Sequence, residues 1–266
     1  MKRTVTADIT ATVSEPAHLV WAVGVADHPG LVEETLEVRV GDEAVEVREV
    51  AAAHGGRLHV VPEAPAGDLT LSYRAEVEGR SEPDEASELD LIAYRNPSRY
   101  ADSDRLAHVA GAHFRGLAGA ELVHGIRDWV STSLAYKSGS SRVTDSAVDS
   151  YLARAGVCRD FAHLVVTFLR ARGLPARLAA VYAPGLSPMD FHAVAEVHVD
   201  GCWQVVDATG LAPRASLLRI ATGRDAADTA FLNVLGGRVA LGRMDVTAVV
   251  DPELPDEDAS EPVSLG

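Results

Sequence analysis

The sequence predicts an α+β fold, in which a small all-β domain precedes a helical stretch and then a return to strands. Three observations lead there. Residues 1–80 alternate polar and apolar side chains with the period of strands. From residue 102 to Gly173 the apolar residues recur at helical spacing. Beyond Pro175 strand-like runs return, two of them joined by Asp200-Gly201, a pair suited to a two-residue type I′ hairpin.

The elements follow in order. Thr4 to Val13 alternates as a half-buried strand, and His18 to Val25 is a second, more apolar run. Thr35–Val40 and Ala44–Val50 flank Gly41-Asp42-Glu43 as a hairpin would, and Arg57–Val61 and Asp68–Val77 complete about six strands. Helical spacing covers Asp102–Phe114 and Gly119–Leu134, with Leu122, Val123, Ile126, Trp129 and Val130 on one stripe of the second. Lys137–Val143 is a Ser/Gly loop, and Asp145 is placed to N-cap a short helix through Ala153. The next helix begins near Cys158 and is stopped by Gly173 and Pro175. Ala176–Ala183, Phe191–Val199 and Cys202–Ala208 read as strands.

Composition divides the chain into a β-rich domain (1–80), an acidic linker (81–93), a core (94–250) and an acidic tail (251–266) expected to be mobile. Net charge is −15, with 19 acids against 7 bases in residues 1–90 and 14 against 17 in residues 91–250. Such acidity argues against nucleic acid or an anionic membrane as partner of the whole chain. No apolar run reaches the length of a membrane-spanning helix, and the first eight residues lack the apolar stretch of a secretory signal. The 2 cysteines, Cys158 and Cys202, read as free thiols of a cytoplasmic protein. No Cys-x-x-Cys or His-Glu-x-x-His pattern marks a metal site, and no phosphate loop, dinucleotide fingerprint or serine-hydrolase elbow occurs.

Three segments carry chemistry. Gly156-Val157-Cys158-Arg159-Asp160-Phe161-Ala162 places a thiol in the first turn of a helix, where unpaired N–H groups and the helix dipole favour an anion and the backbone N–H of the same residue can meet an oxyanion. If Asp200 and Gly201 are the loop residues, Val199 pairs with Cys202, Val194 with Asp207 and His192 with Thr209. His192 and Asp207 then share a face as diagonal neighbours, about 7–8 Å apart along the backbone, a gap two side chains can span. The carboxylate would take one ring nitrogen and turn the other to the thiol. Cys202 falls on the opposite face, and His163 lies about 140° around the helix from Cys158, too far to serve as base. Asp160 either stabilises the helix start or touches substrate.

These segments resemble the transglutaminase-like superfamily, in particular bacterial proteins with a β-rich region before a papain-like core. The resemblance covers roughly residues 94–235, and Asn96-Pro97-Ser98-Arg99-Tyr100 and Gly223-Arg224-Asp225-Ala226-Ala227-Asp228 extend it. It implies a helix carrying the cysteine packed against an antiparallel sheet carrying the other two residues, with Cys158 as nucleophile, His192 as general base and acid, and Asp207 as the group that orients the histidine. It implies cleavage of amide bonds or acyl transfer on a peptide or protein substrate, with no cofactor; no calcium loop is present in the sequence. Tyr136, in the loop before the cysteine helix, is the candidate for the second oxyanion donor, with a packing aromatic as the alternative. Val194 stands where the bacterial group often has an aromatic and Ala208 where it often has proline, which reshapes the pocket rim.

The expected activity is therefore thiol-dependent amide hydrolysis through a thioester. The alternatives are transfer to an amine and a non-catalytic binding scaffold on the same fold.

Overall fold

The structure, a computed structural model, describes residues 1–265. The elements in chain order are β1 (Lys2–Trp21), β2 (Leu31–Val40), β3 (Glu43–Ala44), β4 (Arg48–Ala51), β5 (Arg57–Ala64), β6 (Gly67–Glu78), α1 (Glu88–Ala93), α2 (Ala107–His113), α3 (Gly119–Ser133), β7 (Ala135–Tyr136), α4 (Ala147–Ala153), β8 (Ala155–Gly156), α5 (Cys158–Ala171), β9 (Ala176–Tyr182), β10 (Phe191–Val199), β11 (Cys202–Val206), β12 (Leu218–Gly223), α6 (Ala226–Thr229) and β13 (Leu232–Asp251).

β1 organises the first sheet. The two runs expected as separate strands form one, because the inward alternation of Val5, Ala7, Ile9, Ala11 and Val13 resumes at Ala17, Leu19 and Trp21. Pro16, which has no N–H to give a ladder, sits where the register slips between Glu15 and His18. Along one side β1 pairs with β6, from Lys2↔Glu78 to Val13↔Gly67, and then with β5, from Ala17↔Ala64 to Trp21↔His59. The expected hairpin at Gly41 closes with Val40↔Glu43, but its second arm is only β3; residues 48–51 turn away to pair with β5.

Along its other side β1 pairs with β13, from Lys2↔Asp251 to Trp21↔Leu232. The sequence reading assigns these last residues to the core region. They join the β-rich sheet instead, because Val246 and Ala248 bury themselves opposite Ala7 and Val5. The tail expected to be mobile is also held. Val263 accepts the Val205 N–H at 2.7 Å, Glu257 pairs with Arg214 at 2.6 Å, and Leu265 is buried against Val205 and Leu217. The edge of β11 had backbone groups to satisfy, and the tail supplies partners.

The second sheet is antiparallel, in the order β11-β10-β9-β12. α5 lies at the centre of the helical layer, and Leu164, Val165, Phe168 and Leu169 join a core with Ile126 and Val130 of α3 and Ala195 and Val197 of β10. Gly173, at φ +84°, ends α5. The cap of α4 is Ser146 with Asp149, not Asp145, which instead accepts the Arg142 N–H at 2.8 Å. Within the expected linker, Ser87 and Asp90 cap α1.

The two sheets share a core. Tyr182, Leu218 and Ile220 pack with Trp21, Tyr73 and Val23, and the Tyr182 hydroxyl donates to the Val23 carbonyl at 2.8 Å. A buried ion cluster ties three strands of the second sheet to the segment that joins it to the first. Glu196 accepts from Arg177 Nε at 2.8 Å and from both terminal nitrogens of Arg219 at 2.8 and 2.9 Å, and Arg177 also reaches Asp84 at 2.7 Å. Burial opposes ionisation of Glu196, but the two arginines overcome it and hold its carboxyl down to about 2.

Candidate active site

α5 begins where a local device turns the chain. Val157 is extended at φ −110°, ψ −179°, and Asp160 reaches back to accept its N–H at 2.8 Å. Asp160 fits because residue 156 is glycine: a Cβ there would lie 2.5 Å from the Asp160 Cβ. Asp160 is fully buried and also bonds Arg159 at 3.0 Å. It therefore makes the helix-start contact of the two roles expected for it, and it is absent from the residues that line the cleft.

Just before α5, β7 and β8 form a short parallel pair, Ala135↔Ala155 and Tyr136↔Gly156. That pairing sets Tyr136 beside the first turn of α5. Its hydroxyl sits against the Cys158 backbone N–H and thiol, and partial burial together with the thiol pushes the phenol up to about 12. The ring also packs on Phe161, 5.8 Å between centroids.

His192 enters at the start of β10 with its ring buried. Nε2 is 2.9 Å from Asp207 Oδ2. The other Asp207 oxygen accepts the Thr209 N–H and hydroxyl, both at 2.7 Å. Nδ1 is buried and makes no other hydrogen bond to oxygen or nitrogen among the described residues, and the Cys158 thiol interacts with the ring. Burial works to lower the His192 pKa, but the charge and hydrogen bond of Asp207, aided by the thiol, win and raise it to about 10. Burial likewise opposes ionisation of Asp207, and His192 with the Thr209 donors holds its carboxyl below the ordinary range.

The hairpin keeps the expected register from Val199↔Cys202 to Ala195↔Val206. The ladder then stops, short of His192↔Thr209. Asp207 bonds the N–H two residues on, an Asx-type turn that pulls the chain out of the strand. The His192–Asp207 contact is thus made by a strand residue and a turn residue.

Cys158 and His192 open on a cleft of about 650 Å³. Its lining includes Leu178, Ala180 and Ile220 of the second sheet, and Leu232 and Met244 of β13. Cys202 lies elsewhere, at the hairpin, where it accepts from Gln204 Nε2 at 3.6 Å. Among the described residues no group of three or more His, Cys, Asp or Glu side chains is placed to hold a metal.

Sequence reasoning missed how the flanking runs meet. Tyr100 lines the cleft, stacks on His163 at 5.4 Å, and donates its N–H to Asp225 at 2.8 Å. Arg170 bonds the Asn96 carbonyl at 3.0 Å and the Arg224 carbonyl at 2.6 Å, tying both runs to α5. His163 is fully buried and accepts the Ala226 N–H at 3.1 Å; burial brings its pKa to about 4, so it stays neutral and serves packing. The signal was present in the two runs themselves, but nothing local joins residue 100 to residue 225.

Residues 114–208, which include Cys158, His192 and Asp207, match the family model described as the transglutaminase-like superfamily. The crystal structure of a candidate cysteine protease from Cytophaga hutchinsonii is similar over 100% of this chain and 98% of that one, with a TM-score of 0.88 and 32% identity. An uncharacterised Mycobacterium bovis protein is 42% identical over 72 residues, 26% of this chain and 22% of that protein. An uncharacterised Mycobacterium leprae protein is 29% identical over 136 residues, 46% of each. The chain thus spans less than half the length of these two curated relatives.

Proposed function

The chain belongs to the transglutaminase-like superfamily, and from that premise we propose that it is a thiol-dependent amide-bond hydrolase, a peptidase or amidase, acting through Cys158, His192 and Asp207. One observation carries the reading: a buried imidazole, bonded to a carboxylate through Nε2, leaves Nδ1 for a thiol at a helix N-terminus that opens on a cleft. The raised histidine supports a charged imidazolium facing the thiol at rest.

In this scheme the Cys158 sulfur attacks the amide carbonyl carbon. The carbonyl electrons move to oxygen, where the Cys158 N–H and the Tyr136 hydroxyl are the proposed donors. His192 gives its proton to the leaving nitrogen as the C–N bond breaks, which releases an amine and leaves a thioester on Cys158. His192 then takes a proton from water as the water oxygen attacks the thioester. The C–S bond breaks, and an acid and the thiolate–imidazolium pair are restored. Asp207 stays ionised throughout and fixes the ring.

The test pairs a thiol probe with a substrate panel. Iodoacetamide near neutral pH should alkylate Cys158 faster than Cys202, read by peptide mass spectrometry. A broad fluorogenic peptide library should be hydrolysed by the wild type and not by Cys158→Ala. Equal labelling of the two cysteines overturns the thiolate. Product carrying an added amine in place of a free acid would make the acceptor an amine rather than water.

A further inference from the structure

The cleft beside Cys158 has two owners. Its floor comes from the second sheet, where Leu178 and Ile220 are each 1% exposed. One flank is an aromatic pair, Phe191 on Phe231, with centroids 5.6 Å apart and planes 23° from parallel. The other wall is β13, which brings Leu232 and Met244 because its ladder with β1 seats them opposite Trp21 and Ile9. Apart from His192, only Arg159 and Asp190 bring formal charge to the lining among the described residues. Arg159 is already committed to Asp160 at 3.0 Å, Ser141 Oγ at 3.1 Å and the Arg142 carbonyl at 2.8 Å. A space of about 650 Å³ falls inside the ~300–1,000 Å³ range of ligand pockets, and its apolar lining is of the kind that holds apolar groups.

We infer that this cleft seats a large apolar side chain on the acyl side of a backbone amide, and that β13 makes the β-rich sheet a specificity-determining half of the site. This rests on the amide-hydrolase reading above. The occupant is a phenylalanine-, leucine- or methionine-type residue, because the cleft runs without a break from these walls to the thiol that would attack its carbonyl. A glutamine side chain in the same space gives up hydrogen bonds to water against walls that are largely hydrocarbon.

The experiment uses the full chain and peptidyl chloromethyl ketones that differ only in the residue bearing the ketone, with Phe, Leu, Gln or Glu there. Rates of Cys158 alkylation are read by mass spectrometry and normalised to the iodoacetamide rate of the same protein. The Phe and Leu reagents should react about 10- to 100-fold faster than the Gln and Glu reagents. Met244→Glu should cut the Phe-to-Gln ratio by about tenfold or more, and the milder Met244→Ala should lower it several-fold. Equal rates for all four reagents, or a ratio that neither Met244 variant moves, overturns the inference while iodoacetamide still finds Cys158. If iodoacetamide itself fails to prefer Cys158, the hydrolase reading falls and takes this inference with it.

Discussion

Asp207→Asn isolates what the carboxylate does. Oδ1 of Asp207 is fixed by two donors, the N–H and hydroxyl of Thr209, each at 2.7 Å. An asparagine at this position keeps its carbonyl there, since its NH₂ group has nothing to offer a donor. The NH₂ is then aimed at His192 Nε2, where Oδ2 sits 2.9 Å away in the wild type. Nε2 must become an acceptor, so the ring proton moves to Nδ1, the nitrogen that should receive the thiol proton. The shape survives and the base is blocked.

The magnitude follows from the histidine. Its rise from 6.5 to about 10 is worth about 5 kcal/mol in favour of the charged ring. Burial pulls the other way, so once the Asp207 charge is gone the imidazolium is disfavoured at pH 7. Turnover of a fluorogenic peptide should fall by roughly 10³- to 10⁴-fold, the scale known when a triad histidine is left in the wrong tautomer. The sign in pH is fixed as well. A group raised in this way is charged below about 10 and loses its charge above it, so wild-type iodoacetamide labelling should hold across pH 6–8. The variant should label slowly at pH 6 and recover as pH rises. An Asp207→Asn enzyme that keeps a tenth of wild-type turnover, or a flat labelling profile, with an unchanged circular dichroism spectrum would refute this account of the orienter.

Three more outcomes are expected. Tyr136→Phe should lower kcat about 10²-fold with little change in KM, measured on the same peptide; a change under threefold would leave Tyr136 as packing alone. Glu196→Ala should cost about 3–5 kcal/mol in urea unfolding at pH 7, because Arg177 and Arg219 lose a shared buried partner. Since the Glu196 carboxyl is held down to about 2, its contribution is present above the ordinary glutamate range and lost as pH falls through about 2, so the gap between variant and wild type should close on acidification. Gly156→Ala should destabilise by about 1–3 kcal/mol and slow Cys158 labelling, because the new Cβ meets Asp160 Cβ at 2.5 Å and Oδ2 at 2.8 Å and must displace the cap.

What could be read from the sequence was local. The start of α5, the hairpin at Asp200-Gly201 and the alternation of β1 are set by neighbours within a few residues, so cap, turn and period announce them. The approach of His192 to Asp207 was legible in part, since the two-residue turn fixes the register as far as Ala195↔Val206, one residue short of Asp207. The Asx turn at Asp207 was not read, though its side chain and the following Thr209 are the residue types that make one.

What escaped was set by distance along the chain. β13 is apolar on one side only where it meets β1, and nothing near residue 246 says that its partner is Ala7. The acidic tail carries the composition of a free end, yet its backbone answers an edge strand more than 50 residues earlier, Val205 to Val263. These long-range closures bear on the site. Ala22 and Met244 line the same cleft as Cys158 because the first and last strands of one sheet close beside the second. The proposed triad can be written in three short motifs, carried by a helix, a strand and a turn. The pocket cannot, because its walls belong to elements that meet only when the chain is folded, and the inferred side-chain preference rests on those walls.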